Sequence, residues 1–331
     1  MDGSGGEGRR GRPRILSVGV AVVDHVFRVA EFPTRPEKYR AKGAVSVGGG
    51  GGANAAVAIA RLGGEAWLAA RVGDDATADA ILAELHGDGV RTDLVRRFGG
   101  CRSSFSAVLV DDAGERMIVN YRDMALSFDA DWLREGLDAK AFDALLADTR
   151  WPEGAAAAMT RASALGVPGV IDAEAPTEGC EAALQAASHV VFSAQGLRDF
   201  LGLDPDDPAP LDDALHRAST LLPGLVGVTD GPEGVRWITP GEAMRHERPP
   251  DPPDPVIDTL GAGDVWHGAL AVALAERRPV ECAMRFANAA ATLKCVRGAG
   301  RSGTPHRTDV DAVLEAGPAP GAMDRPVARE A

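Results

Sequence analysis

An α/β fold built on a mainly parallel sheet, with a second and smaller sheet beside it, is what this 331-residue sequence predicts. Three observations carry the expectation. Short apolar runs alternate with amphipathic helical stretches, two segments break that rhythm, and two glycine-rich turns open directly into helices.

Taken in order, Ile15 to Val18, Trp67 to Val72, Ala144 to Leu146, Gly169 to Ile171, Val190 to Phe192 and Leu225 to Thr229 read as strands buried on both faces. Pro168 and Pro223 stand just ahead of two of them, where a strand can begin. Between them lie helical stretches at Ala53 to Leu62, Ala76 to His86, Ala155 to Ala164, Glu181 to Ala187 and Leu211 to Leu221. Buried strands separated by helices imply βαβ units. Val26 to Val47 is instead extended, polar and interrupted by Pro33 and Pro36. Arg102 to Tyr121 alternates around Asp111-Asp112-Ala113-Gly114, a hairpin signature. These two segments, about 26–47 and 100–122, are expected to form a small sheet over the carboxyl ends of the parallel strands, as a lid. Pro249 to Pro255 reads as a stiff connection, and residues 1–13 and 317–331 as disordered tails around one domain at 14–316.

Composition excludes some classes. A net charge of −13 argues against nucleic acid as the main partner, which needs clustered basic surface. No apolar run is long enough to span a membrane, and the amino-terminal segment lacks the apolar core of a secretory signal. The four cysteines are too scattered for a zinc site or a disulfide framework, so thiols in a reducing cytoplasm are expected.

The string Val256-Ile257-Asp258-Thr259-Leu260-Gly261-Ala262-Gly263-Asp264 runs into an Ala-rich helical stretch. Backbone N–H groups at such a helix start attract anions, and small residues let a phosphate come close. An Asp on the first turn can then take a proton from a hydroxyl while the N–H groups stabilise a transferring phosphoryl group. An Asp here more often only caps a helix; the whole string is what favours chemistry.

Asp-Thr-x-Gly-Ala-Gly-Asp entering a helix resembles the carboxyl-terminal signature of the ribokinase-like (PfkB) carbohydrate kinases. The resemblance implies a three-layer α/β/α sandwich with a β-sheet lid. It implies Asp264 as catalytic base, an anion hole at Gly261, Ala262 and Gly263, and Thr259 supporting the turn beside ATP. Gly48 to Gly52 followed by Ala53-Asn54 is similar to the family's sugar-binding turn, which assigns sugar contacts to Gly49, Gly50 and Asn54. Asp24, read as ending the first strand run, matches the family's Asp for sugar hydroxyls. Thr229, Gly231 and Gly234 resemble the strand and turn that contact ATP phosphates. ATP and Mg2+ are the implied cofactors, a monovalent cation is left open, and a homodimer is implied. Ser193-Ala194-Gln195-Gly196 departs from the family's Asn-x-x-Glu, so the residues that hold magnesium stay unassigned.

Asn120-Tyr121-Arg122, Pro36-Glu37-Lys38-Tyr39, Asp148-Thr149-Arg150 and Leu293-Lys294-Cys295 resemble the sulfofructose kinase branch, whose sulfonate-binding positions match Lys38, Asn120 and Arg150. The implied acceptor is 6-deoxy-6-sulfofructose, phosphorylated at O1. Ketohexokinase, fructokinase, ribokinase and phosphofructokinase activities are the alternatives, and a non-catalytic sugar-binding protein is the rival from another class. A dinucleotide oxidoreductase is disfavoured because no G-x-G-x-x-G follows the first strand.

Overall fold

The computed structural model describes residues 11–112, 115–204, 209–298 and 300–316. The two tails expected from sequence, apart from residues 11–13, lie outside the described residues, as do Ala113 and Gly114 of the hairpin turn. The chain opens with β1 (Arg14–Val18), β2 (Val22–Arg28), β3 (Gly43–Gly49), α1 (Gly51–Arg61), β4 (Glu65–Gly73), α2 (Ala76–Gly87) and β5 (Arg91–Phe98). It continues through β6 (Phe105–Val110), β7 (Arg116–Tyr121), α3 (Asp131–Asp138), β8 (Ala144–Asp148), α4 (Pro152–Leu165), β9 (Gly169–Ala173), α5 (Glu181–Ala186) and β10 (His189–Ser193). The last third comprises α6 (Ala194–Phe200), α7 (Leu211–Leu221), β11 (Leu225–Thr229), β12 (Val235–Ile238), β13 (Arg245–Glu247), α8 (Ala262–Ala275), α9 (Val280–Arg297) and α10 (Arg307–Ala316).

Nine strands form one sheet in the order β13-β12-β11-β10-β9-β8-β1-β4-β5. Every pairing from β11 to β5 is parallel, and the β11–β12 and β12–β13 pairings are antiparallel. Alternation along each buried strand feeds two cores, as a period of two requires. Ile15, Leu68 and Leu146 join one core with α1, α8 and α9, whereas Leu16, Ala69 and Leu145 join the other with α3, α4 and α7. The molecule is therefore a three-layer α/β/α sandwich, as expected.

The small sheet has the order β3-β2-β6-β7. It branches off after β1 and returns through Gly50 into α1, which places it beyond the carboxyl end of the large sheet. Its strands start earlier than the extended segment suggests, at Val22. Asp24 accordingly does not end the first strand: β1 stops at Val18, and Asp24 sits inside β2, paired with Val47 and Ser106. The reason is the Gly19-Val20-Ala21 break, where Gly19 and Val20 turn the chain toward Asp148.

The Ala-rich stretch after Asp264 also proves to be two helices. Arg277, at φ 62°, and Pro279 end α8 and redirect the chain into α9.

Candidate active site

The carboxyl ends of β1 and β8, the start of α1 and the start of α8 converge on one place. Gly261 holds φ at 76°, a left-handed conformation that glycine adopts without penalty, and α8 starts on the next residue. Ala262 N donates to the Thr259 carbonyl at 3.2 Å, and Val265 N to the Gly261 carbonyl at 3.1 Å. Among the described residues, the N–H groups of Gly263 and Asp264 meet no acceptor. They are the orphan donors of a helix start, aimed where an anion can lie. The turn thus uses the Ala262 N–H internally rather than presenting it.

Asp264 stands on that first turn. Burial pushes its carboxyl up to about 6; the Asn54 hydrogen bond opposes the rise, Glu174 and Asp148 add to it, and Arg301 opposes it. Asn54 Nδ2 donates to Asp264 Oδ2 at 2.7 Å, so α1 and α8 are joined through the two predicted residues. Near neutral pH the group is ionised, as a base must be, yet close enough to neutrality for its proton affinity to be useful.

The glycine turn brings in Asp24. A methyl built on Gly49 would lie 2.0 Å from Asp24 Oδ2, so only glycine lets that carboxylate lie against the turn. Burial raises the Asp24 pKa, while the Ser106 hydroxyl and the charge of Arg301 hold it down. Asp24, Ser106 and Asn120 are lateral neighbours across β2, β6 and β7, and Asn120 Nδ2 donates to Ser106 Oγ at 3.1 Å. A row of hydroxyl-reading groups therefore crosses the small sheet, ending at Asn120.

Sequence reasoning missed two residues here. Asp148, the last residue of β8, accepts from Val20 N and Gly52 N through Oδ2, both at 3.0 Å, and from Arg150 N through Oδ1 at 2.9 Å. It is 8% exposed, and burial raises its pKa while those N–H bonds oppose the rise. A methyl on Gly51 would sit 3.2 Å from Asp148 Oδ2 and 3.4 Å from Asp264 Oδ1, so both carboxylates face the same helix start. Arg301 is the second. Its Nε donates to Asn54 Oδ1 at 3.1 Å and its Nη2 to the Gly49 carbonyl at 3.0 Å, with only 4% of the residue exposed. The sequence signal was faint: a lone Arg in a Gly-rich turn, Gly300–Gly303.

Behind the turn, Asp258 gathers four donors. Leu260 N and Arg116 Nη2 reach Oδ1 at 2.9 Å, and Lys294 Nζ and Gly300 N reach Oδ2 at 3.0 and 3.2 Å. Arg116, from β7, also donates to Thr259 Oγ1 at 3.1 Å, so the small sheet is tied to the turn. Lys294 is 1% exposed and donates as well to the Asp258 carbonyl.

Other predicted residues lie apart from this centre. Thr229, Gly231 and Gly234 cluster at the end of β11, four strands from β1 along the same carboxyl edge. Lys38 is exposed in the 29–42 connection and makes no contact among the described residues. Arg150 follows β8 as expected, but its guanidinium donates to the Ala175 carbonyl at 2.7 Å and to Glu174 at 3.2 Å. Ser193, in place of the family's Asn, caps α6 by accepting from Gly196 N at 3.0 Å.

A carboxyl edge of parallel strands, an anion-receptive helix start and a half-buried carboxylate beside hydroxyl-reading groups fit a phosphotransferase acting on an alcohol. The family model of pfkB family carbohydrate kinases matches residues 12–307. The chain belongs to that family and is a carbohydrate kinase. It is 28% identical to the ribokinase of Bacillus subtilis (strain 168) over 91% of this chain and 99% of that protein. A provisionally assigned ribokinase from Agrobacterium tumefaciens superposes with a TM-score of 0.85 at 34% identity, covering 92% of this chain and 98% of its own. Arabidopsis thaliana ribokinase, solved with ribose and ATP, superposes at 0.80 with 25% identity over 92% and 99% of the two chains. The fold is thus ribokinase-like.

Proposed function

We propose that this carbohydrate kinase transfers the γ-phosphoryl group of Mg·ATP to a primary hydroxyl of a ketose, with Asp264 as the base. The observation that carries the reading is the pairing of the half-buried Asp264 with the unmet N–H groups of Gly263 and Asp264. In this reading Asp24, Gly49, Gly50 and Asn54 hold the sugar, so that one hydroxyl faces Asp264 Oδ1. Asp264 takes its proton while the helix start receives charge on the phosphoryl group. Thr229, Gly231, Gly234 and Thr259 take the nucleotide, in keeping with the ATP in the Arabidopsis relative. Among the described residues no group of three His, Cys, Asp or Glu is placed to hold a metal. Magnesium would enter with ATP and offset the phosphate charge there, and the protein residues that would hold it stay unassigned.

The oxygens behind the turn that an alkali cation would need, the carbonyl and Oδ2 of Asp258, are already met by Lys294 Nζ. These residues do not fit an added monovalent cation, and the reading is of activity without one. The kinase unit spans 14–316, with the small sheet as its lid. Val45, Met117, Ile118 and Val119, on the outer strands of that sheet, are 41–66% exposed, which supports a homodimer through the lids.

The specific acceptor proposed is 6-deoxy-6-sulfofructose, phosphorylated at O1, supported by Asn120 at the end of the Asp24-Ser106 row. A neutral ribose or fructose is the second reading, favoured by the ribokinase relatives and by the engagement of Arg150 with Glu174. ADP release measured across sulfofructose, fructose, fructose phosphates, ribose and nucleosides decides between them. With the best sugar, Asp264→Asn is expected to lose about 10²–10⁴-fold in kcat. A loss of only a few-fold would remove Asp264 from the role of base.

A further inference from the structure

Two arginines beside the sugar-reading row lack partners that a folded protein ordinarily provides. Arg71, near the end of β4, is 8% exposed, and its Nε is buried with no hydrogen-bond acceptor. Among the described residues its guanidinium makes one hydrogen bond, from Nη1 to the Ser127 carbonyl at 3.1 Å. Arg122 follows β7, and its Nη2 is likewise buried and unmet. Among the described residues neither guanidinium forms an ion pair. Both lie against one ring, with Cζ 4.7 Å from the Phe128 centroid for Arg71 and 4.3 Å for Arg122. Arg71 also stacks on Trp151 at 4.7 Å.

Two like charges held on one aromatic ring, short of acceptors, are unfavourable as they stand. Burial, then the neighbouring charge of Arg122, push the Arg71 guanidinium down to about 10. The charge of Asp148 favours both guanidinium groups but makes no hydrogen bond or ion pair with either among the described residues, its oxygens being engaged by three backbone N–H groups. Glu153, whose charge also acts on both arginines, is exposed on α4. Position matters as much as charge. Arg122 stands two residues beyond Asn120, just past the end of the β7 strand that carries it. Asn120 is in turn the lateral neighbour of Ser106, and Ser106 of Asp24. Asp148 in turn faces the helix start that Asp264 also faces.

We infer that Arg71 and Arg122 form an anion subsite at the end of the sugar pocket remote from Asp264, receiving a sulfonate or phosphate borne by the substrate. Guanidinium groups suit either group, since each presents several planar N–H donors to tetrahedrally arranged oxygens. The inference rests on the sugar-kinase reading and moves the anion's contacts away from Lys38 and Arg150, whose placements serve it poorly. The bound anion would also complete the charge balance between the two arginines, so an acidic sugar has an advantage over a neutral one of the same shape.

The test compares 6-deoxy-6-sulfofructose, fructose 6-phosphate and fructose by kcat/KM, in the full chain and in Arg122→Met, Arg71→Met and Arg150→Ala. Truncating one member of a buried charged contact typically weakens it by ~10². The ratio of kcat/KM for the preferred acidic sugar to that for fructose is expected to fall about 10²-fold in Arg122→Met and Arg71→Met. In Arg150→Ala it should change by less than about 3-fold. Preference for sulfonate over phosphate in the unaltered protein identifies which anion the site takes. A ratio that stays constant in Arg122→Met, or that collapses only in Arg150→Ala, overturns the inference. Because a variant can lose its fold, calorimetric titration of the unaltered protein with the three sugars, without ATP, decides independently: equal affinities overturn the subsite. Absence of turnover with all three ketoses would instead defeat the ketose-acceptor reading, while the same titration still judges the anion site.

Discussion

Arg301 and Asp264 are linked through one amide: Nε of Arg301 meets Asn54 Oδ1, and Asn54 Nδ2 meets Asp264 Oδ2. The first contact fixes which end of the amide faces the base, and the charge of Arg301 lowers the Asp264 pKa. The sign of the pH dependence follows. A base whose carboxyl sits at about 6 is protonated and idle below that pH, so kcat/KM should rise through about pH 6 to a plateau. Replacing Arg301 by Met removes a charge that favours the carboxylate, and the acidic limb of the profile should move to higher pH. An unmoved limb, with only a uniform loss of activity, would reduce Arg301 to a packing residue. Asp264, Asn54 and Gly49 were legible because each lies in a short string whose turn chemistry is local. Asp148 and Arg301 were not, because their partners at Gly52 and Asn54 lie 96 and 247 residues away. A buried ionisable group is recognised by what surrounds it, and no window of sequence holds that.

At the scale of elements, strands buried on both faces announced themselves, while the edges did not. Leu225 to Thr229 and Leu211 to Leu221 were read to the residue. β5, in contrast, reads Arg-Thr-Asp-Leu-Val-Arg-Arg-Phe and buries only Leu94, so its pattern is that of a polar loop until β4 is beside it. β13 is three residues long and has no periodicity to detect. α9 escaped because its Ala-rich run continues that of α8, and only Arg277 and Pro279 mark the break. The pairing of α1 with α8 matters most for the site, since it joins Asn54 to Asp264. A methyl on Gly268 would meet the Ala55 carbonyl at 2.8 Å and Ala58 Cβ at 2.9 Å, so the two helices touch backbone to backbone. Gly268→Val should therefore cost about 1–3 kcal/mol by overpacking, read as a lower urea midpoint with an unchanged slope. Activity should fall with it, because any separation of α1 from α8 stretches the Asn54 to Asp264 bond. Full stability with full activity would show that this contact has slack.

Across the whole molecule, the large sheet separates two cores and the small sheet lies beyond its carboxyl end, and the order of layers was the part most legible from periodicity. The lid's place was legible only as two interruptions of that periodicity; its registers are set by pairings such as Asp24 with Ser106. Its outer strands supply the prediction that belongs to this scale. The double replacement Ile118→Asp and Val119→Asp should convert a dimer to a monomer in sedimentation velocity, and a mass unaffected by it would place any dimer contact elsewhere. The Arg301 bond to Asn54 has a consequence of another kind. The glycine turn, Asp24 and Asn54 all precede residue 55, whereas the cation that orients them arrives only in the Gly300–Gly303 turn. A chain emerging from the ribosome can therefore stack most of its sheet well before its hydroxyl-reading turn is aimed. A chain halted before that turn would carry the glycine turn and Asp264 but lack the cation that orients Asn54, and should turn over ATP only slowly.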